Sequence, residues 1–557
     1  MKLKQLHFSS ITSAALALLL LGGFALKAQD IMGGAGSTED IVGGAGTGSI
    51  FTSRVVRKRH DRPKEKPAPP PRRTASAAPP KKRVIARTTP RVDPARKPTP
   101  AEIAENFMEQ GDALYNSGQY DKAAAAYNDA VRAKADYAEA YFGLGDAYDM
   151  MNRRDQAIEA YEQAVRLKPA LADAHYNLGI LYYEKENYDK AVASLNQAVK
   201  LRGDDAETEN YLGQAYQKSG RPAEAVAAFQ KAVQLKPDLA QAHYHLGDVY
   251  DEMGRSDEAI AAFKRATELD PDYAEAYFDL GVAYYNANRY EEAIAAYQQA
   301  TRARKDYAEA YSNLGDAFRQ LGRNQEAVAA YRQAINLKPD DAEEYADLGQ
   351  TYNKLHLYPD AIAALTKAVS LNPNDAEAYG ELGFANGKTR RWNEAITALN
   401  QAVRLAPNEA EAYSNLGWAY NNNGKFADAV EPLKKAIQLD PNFATAHFNL
   451  GISESRLEQK DAAVASFQQA VRLKPDWPAA HNNLGYAYGV LKRWKEAAES
   501  HKQAIKLKSD YAGAYFNLGY DYLQLGKKSD AMEQYKALQK LDTEKADRLL
   551  LLINQTR

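Results

Sequence analysis

The sequence predicts an all-α solenoid of thirteen tandem 34-residue helix-turn-helix repeats. Three observations carry that prediction. A glycine recurs every 34 residues, from Gly111 and Gly145 to Gly519, thirteen times without insertion or deletion. Twelve residues after each glycine stands an alanine, from Ala123 to Ala531. Apolar residues between these markers recur at spacings of three and four, which gives each helix one buried stripe. A fixed period of this length marks an array whose units bury their apolar faces only against neighbours.

The first segment, residues 1–28, has the layout of a secretory signal peptide. Lys2 and Lys4 precede an apolar run from Ala14 to Leu26, and small Ala28 follows. The run is shorter than the ~20 residues of a spanning helix. Leu26 is large for its place before the cleavage point, so an uncleaved anchor is the alternative. Export to the periplasm or cell envelope is expected, with attachment to the inner membrane if the segment is retained.

Residues 29–99 form a linker without helical or strand periodicity. Two Gly-rich near-copies open it at Ile31 and Ile41, and neither has the Lys-Ser/Thr of a phosphate loop. Residues 51–100 hold 11 of the 23 prolines and 16 Lys/Arg against Asp61, Glu65 and Asp93, a net of +13. Residues 1–50 balance, so residues 101–557 carry −15 of the chain's net −2. Such a linker cannot bury a core and is expected to be disordered and extended. It reads as a spacer, or as a contact for anionic membrane or envelope polymer. The charge split also makes it a candidate occupant of the array's own acidic groove. Nucleic acid is a poor fit for an exported chain.

Residues 100–545 are the repeats. Thr99 and Glu102 make a capping box with Pro100 at the first helical position. In repeat four the first helix buries Tyr211, Leu212, Ala215 and Tyr216, and the second buries Ala225, Phe229, Ala232 and Val233. Pro237 stops the second helix. Asp238 with Gln241 reads as a capping box for the next, repeated as Asp136…Glu139, Asp272…Glu275, Asp340…Glu343, Asn374…Glu377 and Asn408…Glu411. The recurrent glycine and alanine keep side chains small where paired helices cross. Residues 546–557 read as a C-terminal capping helix that covers the last repeat with Leu549 and Ile553.

These markers, Leu-Gly, then Tyr, Ala, an aromatic, Ala and Pro at fixed places in 34 residues, resemble the tetratricopeptide repeat family over about 445 of 557 residues. Departures are local. Ala135, Gly203, Lys305, Ser509 and Thr543 replace the closing proline, and Leu195, Leu365, Leu399, Leu433 and His501 the second-helix aromatic. The resemblance implies antiparallel helix pairs stacked into a right-handed superhelix whose groove is lined by first helices.

Little in the chain suggests catalysis or metal binding. There is no cysteine, so disulfides and thiolate chemistry are excluded. His175, His243, His447 and His481 occupy a place that is Tyr or Phe in most other repeats, which points to packing. No metal-ligand cluster, nucleophile motif or cofactor loop stands out, and no cofactor is expected.

A groove is the expected site. The resemblance places on it the residues two before the glycine and one and four after it. Asn177, Asn313, Asn415, Asn449, Asn483 and Asn517 hold the first place. An amide both donates and accepts, so such a ladder suits a peptide backbone. It is similar to the repeat domain of O-linked N-acetylglucosamine transferases, which carry a glycosyltransferase domain after the repeats, whereas here the sequence ends at Arg557. Trp418, Phe448, Tyr486, Phe516 and Tyr520 flank the ladder as candidate anchors. The N-terminal half carries Asp146, Asp149, Asp248, Asp251, Asp279 and Asp316 with Phe142, Tyr176, Tyr244 and Phe278, suited to a basic segment. The expected function is a non-enzymatic exported scaffold for proteins or extended peptides. The alternatives are a self-assembling envelope component, or a substrate-delivery subunit of a glycosyltransferase or of a secretion or envelope-assembly complex.

Overall fold

The computed structural model describes residues 97–556. The apolar run and most of the linker lie outside the described residues. Among these, every regular element is an α-helix, twenty-seven in all, from Pro100–Asn116 to Thr543–Gln555. None is long and apolar enough to cross a membrane. They fall into two compact units, one ending at Arg323 and the other beginning at Asn324.

Within each unit, first and second helices alternate as antiparallel pairs. Repeat four shows the pattern, with helices Ala206–Lys218 and Pro222–Leu235. The first helix of a pair ends at a residue in the left-handed region. Gly220 takes it at φ 75°, but Asn152, Glu186, Arg390 and Lys492 adopt it at φ 57–60°, which costs an L-residue about 1–2 kcal/mol. The second helix closes with a backbone bond such as Lys236 N to Ala232 O, 2.9 Å, and Pro237 bars its continuation.

The capping boxes read between repeats do not form as placed. Helix Ala240–Glu252 starts after Leu239, which makes no side-chain cap, and Tyr137, Tyr273 and Glu409 behave likewise. Asp341 and Asp375, one residue beyond the expected Asp340 and Asn374, do cap, accepting from Glu343 N and Ala378 N. Packing outweighs capping here: residues at this place, such as Tyr307 and Trp477, are buried. The box at Thr99 forms, with Thr99 N donating to Glu102 Oε2 at 2.7 Å and Glu102 N to Thr99 Oγ1 at 3.3 Å.

The recurrent glycine has the expected steric role in repeat after repeat. A Cβ on Gly145 or Gly281 would stand 2.5 Å from Cε1 of Tyr161 or Tyr297, each fully buried on the second helix of the same repeat. The four histidines pack as expected and add a link. Nε2 of His175, His243, His447 and His481 hydrogen-bonds the carbonyl of Pro169, Pro237, Pro441 and Pro475 at 2.9–3.1 Å. Along one edge, an Arg lies over a Tyr and ties to a Glu three residues on. Arg221 sits 4.6 Å from the Tyr216 ring and 3.0 Å from Glu224; Arg493 sits 4.5 Å from Tyr488 and 3.0 Å from Glu496. The final helix Thr543–Gln555 is capped by Asp542, which accepts from Lys545 N at 3.0 Å, and it buries Leu549 and Ile553 completely.

Candidate functional site: the first-helix face

Within each unit most first helices of successive repeats touch one another, while second helices pack on the first helices of their own and the next repeat. Elements in contact with their own kind lie on the inner side of a curved stack, so the first helices form its inner wall.

That wall is closed more tightly than the sequence suggests. All nine candidate aromatics, Phe142, Tyr176, Tyr244, Phe278, Trp418, Phe448, Tyr486, Phe516 and Tyr520, are buried. They are inter-repeat core rather than open anchors. Phe448 lies tilted against Trp477 at 4.4 Å and meets Phe467 edge-on at 5.7 Å, and Phe278 lies 5.1 Å from Tyr307. The cause is the close approach of neighbouring first helices, which turns the residue three before the glycine into a wedge between them.

The acidic groove is likewise corrected. Asp146, Asp248, Asp279 and Asp316 are buried and act as acceptors. Asp146 accepts from Tyr161 at 2.8 Å and Asn177 at 3.2 Å, Asp248 from Gln217 at 3.0 Å, Asp279 from Tyr244 at 2.9 Å and Asp316 from Arg319 at 3.0 Å. Most of these bonds join one repeat to the next. Asp149 and Asp251 are partly exposed. The charge available to a basic segment is correspondingly small.

The asparagine ladder is present but covered: all six side chains are at most 5% exposed. Its members differ chemically. In the first unit, Asn177 donates to the Tyr161 hydroxyl, 16 residues earlier, at 3.2 Å. Burial and the Asp146 carboxylate push the Tyr161 phenol far above its ordinary pKa, so it remains protonated. Asn313 approaches Tyr297 in the same register, yet Oδ1 and Nδ2 of Asn313 and the Tyr297 hydroxyl make no well-formed hydrogen bond within the protein. In the second unit that earlier place holds Leu399, Leu433 and Phe467, which have no hydroxyl. Accordingly Oδ1 of Asn415, Asn449 and Asn483, and Nδ2 of Asn449, make no hydrogen bond within the protein. Asn483 Nδ2 donates only to Ala479 O on its own helix, and Asn517 Nδ2 to Asn482 Oδ1 at 3.2 Å.

Two features escape the sequence reading. At the C-terminal ends of first helices the wall is accessible, and there Lys388 lies over Phe384 and Trp418 at 5.1 and 5.7 Å. Deeper in, His501 Nδ1 meets Asp521 Oδ2 at 2.7 Å with both residues fully buried. Burial raises the Asp521 pKa, partly offset by His501. The signal for this pair was visible as a joint departure: Ala487 stands where Asp521 does one repeat earlier, opposite Phe467. Glu411 is pushed up to about 7 by burial, then by Glu381 and Glu409. Among the described residues no cluster of three or more His, Asp or Glu side chains could hold a metal ion.

Tetratricopeptide repeat models match residues 111–152, 150–186, 172–205, 218–254, 248–288, 491–526 and 512–545. A model described as the cilia and flagella-associated protein 70 C-terminal domain matches residues 273–474. Among solved structures, YrrB, described as a TPR protein with an unusual peptide-binding site, is 27% identical, with 34% of this chain and 96% of that chain covered and a TM-score of 0.31. A MamA protein is 30% identical over 31% of this chain and 94% of its own, with a TM-score of 0.29. The Cut9–Hcn1 heterotetramer of the APC/C is 15% identical over 81% of this chain and 96% of that chain, with a TM-score of 0.37. No curated protein matches the chain. The repeat period, the helix pairs and the family-model matches together place the chain in the tetratricopeptide repeat family.

Proposed function

We propose that the protein is a non-enzymatic scaffold that holds extended segments of partner proteins against its first-helix face, chiefly in residues 324–556. One observation carries the reading: Asn313 in the first unit and Asn415, Asn449 and Asn483 in the second bury polar atoms that no protein group satisfies. Each such atom costs about 1–3 kcal/mol. Asn177, which has Tyr161 as a partner, does not incur that cost. An extended peptide presents a donor and an acceptor on every residue, the complement of an amide repeated once per 34 residues. Access requires neighbouring first helices to part, which a stack of nearest-neighbour joints accommodates by small adjustments.

The test is a selection of unstructured dodecamer peptides against the full chain, with binding then measured on Asn415→Ala/Asn449→Ala/Asn483→Ala. Loss of at least about tenfold, some 1.4 kcal/mol, whatever the side chains of the peptide, supports the reading. Equal binding by both proteins rejects it.

The arrangement of Lys2, Lys4, the Ala14–Leu26 run and Ala28 supports export to the periplasm or cell envelope. Mass spectrometry of the mature N-terminus tests this. A chain beginning at Gln29 supports export with cleavage, intact Met1 in the membrane fraction supports the anchor, and intact Met1 in the cytosol rejects both.

A further inference from the structure

We propose that Lys388 and the rings around it form a subsite for a carboxylate, an aspartate or glutamate side chain of the extended segment held by the asparagine ladder. The proposal rests on the groove reading above and gives it a charge preference.

Lys388 is the last residue of helix Ala376–Lys388. Its ammonium lies 5.1 Å from the Phe384 centroid and 5.7 Å from that of Trp418. Trp392 meets Trp418 edge-on at 5.4 Å, and Phe384 lies 6.4 Å from Trp418. The lysine is exposed and therefore reachable, whereas Trp418 beneath it is buried. Gly387 makes this seating possible, because a Cβ there would collide with the Trp418 ring. Asp149, Asn353 and Asn421 stand at the equivalent place in other repeats.

The lysine is uncommitted. Among the described residues no carboxylate pairs with Lys388 and no side chain accepts a hydrogen bond from it, and desolvation alone lowers its pKa. The buried indole Nε1 of Trp418 also donates to nothing within the protein. A carboxylate accepts several hydrogen bonds, and a cation held over aromatic rings is already partly stripped of water.

The surrounding charge sets the polarity of the ligand. Glu381, which accepts from Asn353 at 2.7 Å, precedes Lys388 by seven residues on the same helix, about 10 Å along its axis. Together with Glu411 it discourages an acid further along the face. The last two residues of the first helices between 342 and 524 include Lys354, Lys388 and Arg456 and no acid. The same places before residue 323 include the acids Asp149, Glu184, Asp251 and Glu252 beside the bases Lys218 and Arg319.

The experiment uses the full chain and three dodecamers, alternating Gly-Glu, Gly-Gln and Gly-Lys, read by calorimetry and tryptophan fluorescence. Gly-Glu should perturb the tryptophan emission and bind about tenfold more tightly than Gly-Gln, with a salt dependence that Gly-Gln lacks. Lys388→Gln should reduce Gly-Glu to the Gly-Gln affinity with an unchanged melting temperature, and Lys388→Arg should retain the preference. If Gly-Glu binds no better than Gly-Gln, or if Lys388→Gln leaves its advantage intact, the subsite is wrong while the groove reading stands. If none of the three binds, both fall.

Discussion

Replacing Gly383 by alanine should destabilise residues 324–556, although alanine is the better helix former. The new Cβ would stand 2.5 Å from Leu399 Cγ, 2.9 Å from Leu399 Cδ2 and 3.2 Å from Ala395 O. Carbon atoms settle at about 3.5–4.0 Å, so Leu399 or its helix must give way by about 1 Å. Leu399 is completely buried and one of the three contacts is backbone, which places the cost near the top of the ~1–3 kcal/mol of overpacking. Exchanging glycine for alanine in a helix returns about 1 kcal/mol, leaving a net loss of about 2 kcal/mol. For a unit of this size that lowers the melting temperature by about 4–8 °C. All four tryptophans stand between residues 392 and 494, so tryptophan fluorescence during thermal and urea unfolding reports the right unit. Gly513→Ala is the control, because its Cβ would meet only Tyr511, at 3.5 Å, and it should be neutral or stabilising by up to about 1 kcal/mol. Leu399→Ala alone should cost about 2–5 kcal/mol, and the double variant should cost less than the sum by about 2 kcal/mol. A Gly383→Ala protein as stable as the wild type, or a cost that Leu399→Ala does not relieve, would refute the steric account of the recurrent glycine.

Further outcomes follow from the buried polar groups. His501→Phe strands the buried Asp521 carboxyl and should cost about 3–5 kcal/mol in urea unfolding. Adding Asp521→Ala restores the types found one repeat earlier, Phe467 and Ala487, and should recover most of that loss. Glu411 has a folded pKa of about 7, above its ordinary 4.5. Its protonated form is thus the one that folding favours, and stability should fall as pH rises through 4.5–7 and level off above. Glu411→Gln should accordingly match the wild-type melting temperature near pH 4 and exceed it at pH 8. An equal offset at both values would show that the carboxyl is not perturbed.

The repeat architecture was legible because it is a local property repeated many times. Spacing alone places Gly145 against Tyr161 and Ala225 in the helix crossing, and Thr99 with Glu102 marks where the first helix begins. Burial of the candidate site was not legible, because it depends on how closely successive first helices approach. No single repeat encodes that distance. Phe448 reads as an anchor in its own helix and becomes core only when Trp477 of the next repeat closes on it. The pairing of the ladder was only partly within reach: the residue 16 positions earlier is Tyr161 for Asn177 and Leu433 for Asn449, but Asn313 stays unpaired although Tyr297 holds that place. Lys388 gave no signal, because a lysine ending a helix is ordinary until Gly387 lets Trp418 lie beneath it.

The most direct test of the central claim is to change Asn415, Asn449 and Asn483 together to leucine and measure stability and peptide affinity on the same protein. Leucine keeps the branched outline of the side chain, with bulkier methyl groups, and removes the unpaired polar atoms. If these amides are kept for a ligand, the variant should unfold at higher temperature, by the equivalent of about 1–3 kcal/mol per residue at most, and should lose the peptides that the wild type binds. A variant that is less stable, or that binds peptides as well as the wild type, would show that the amides serve the fold and not a partner.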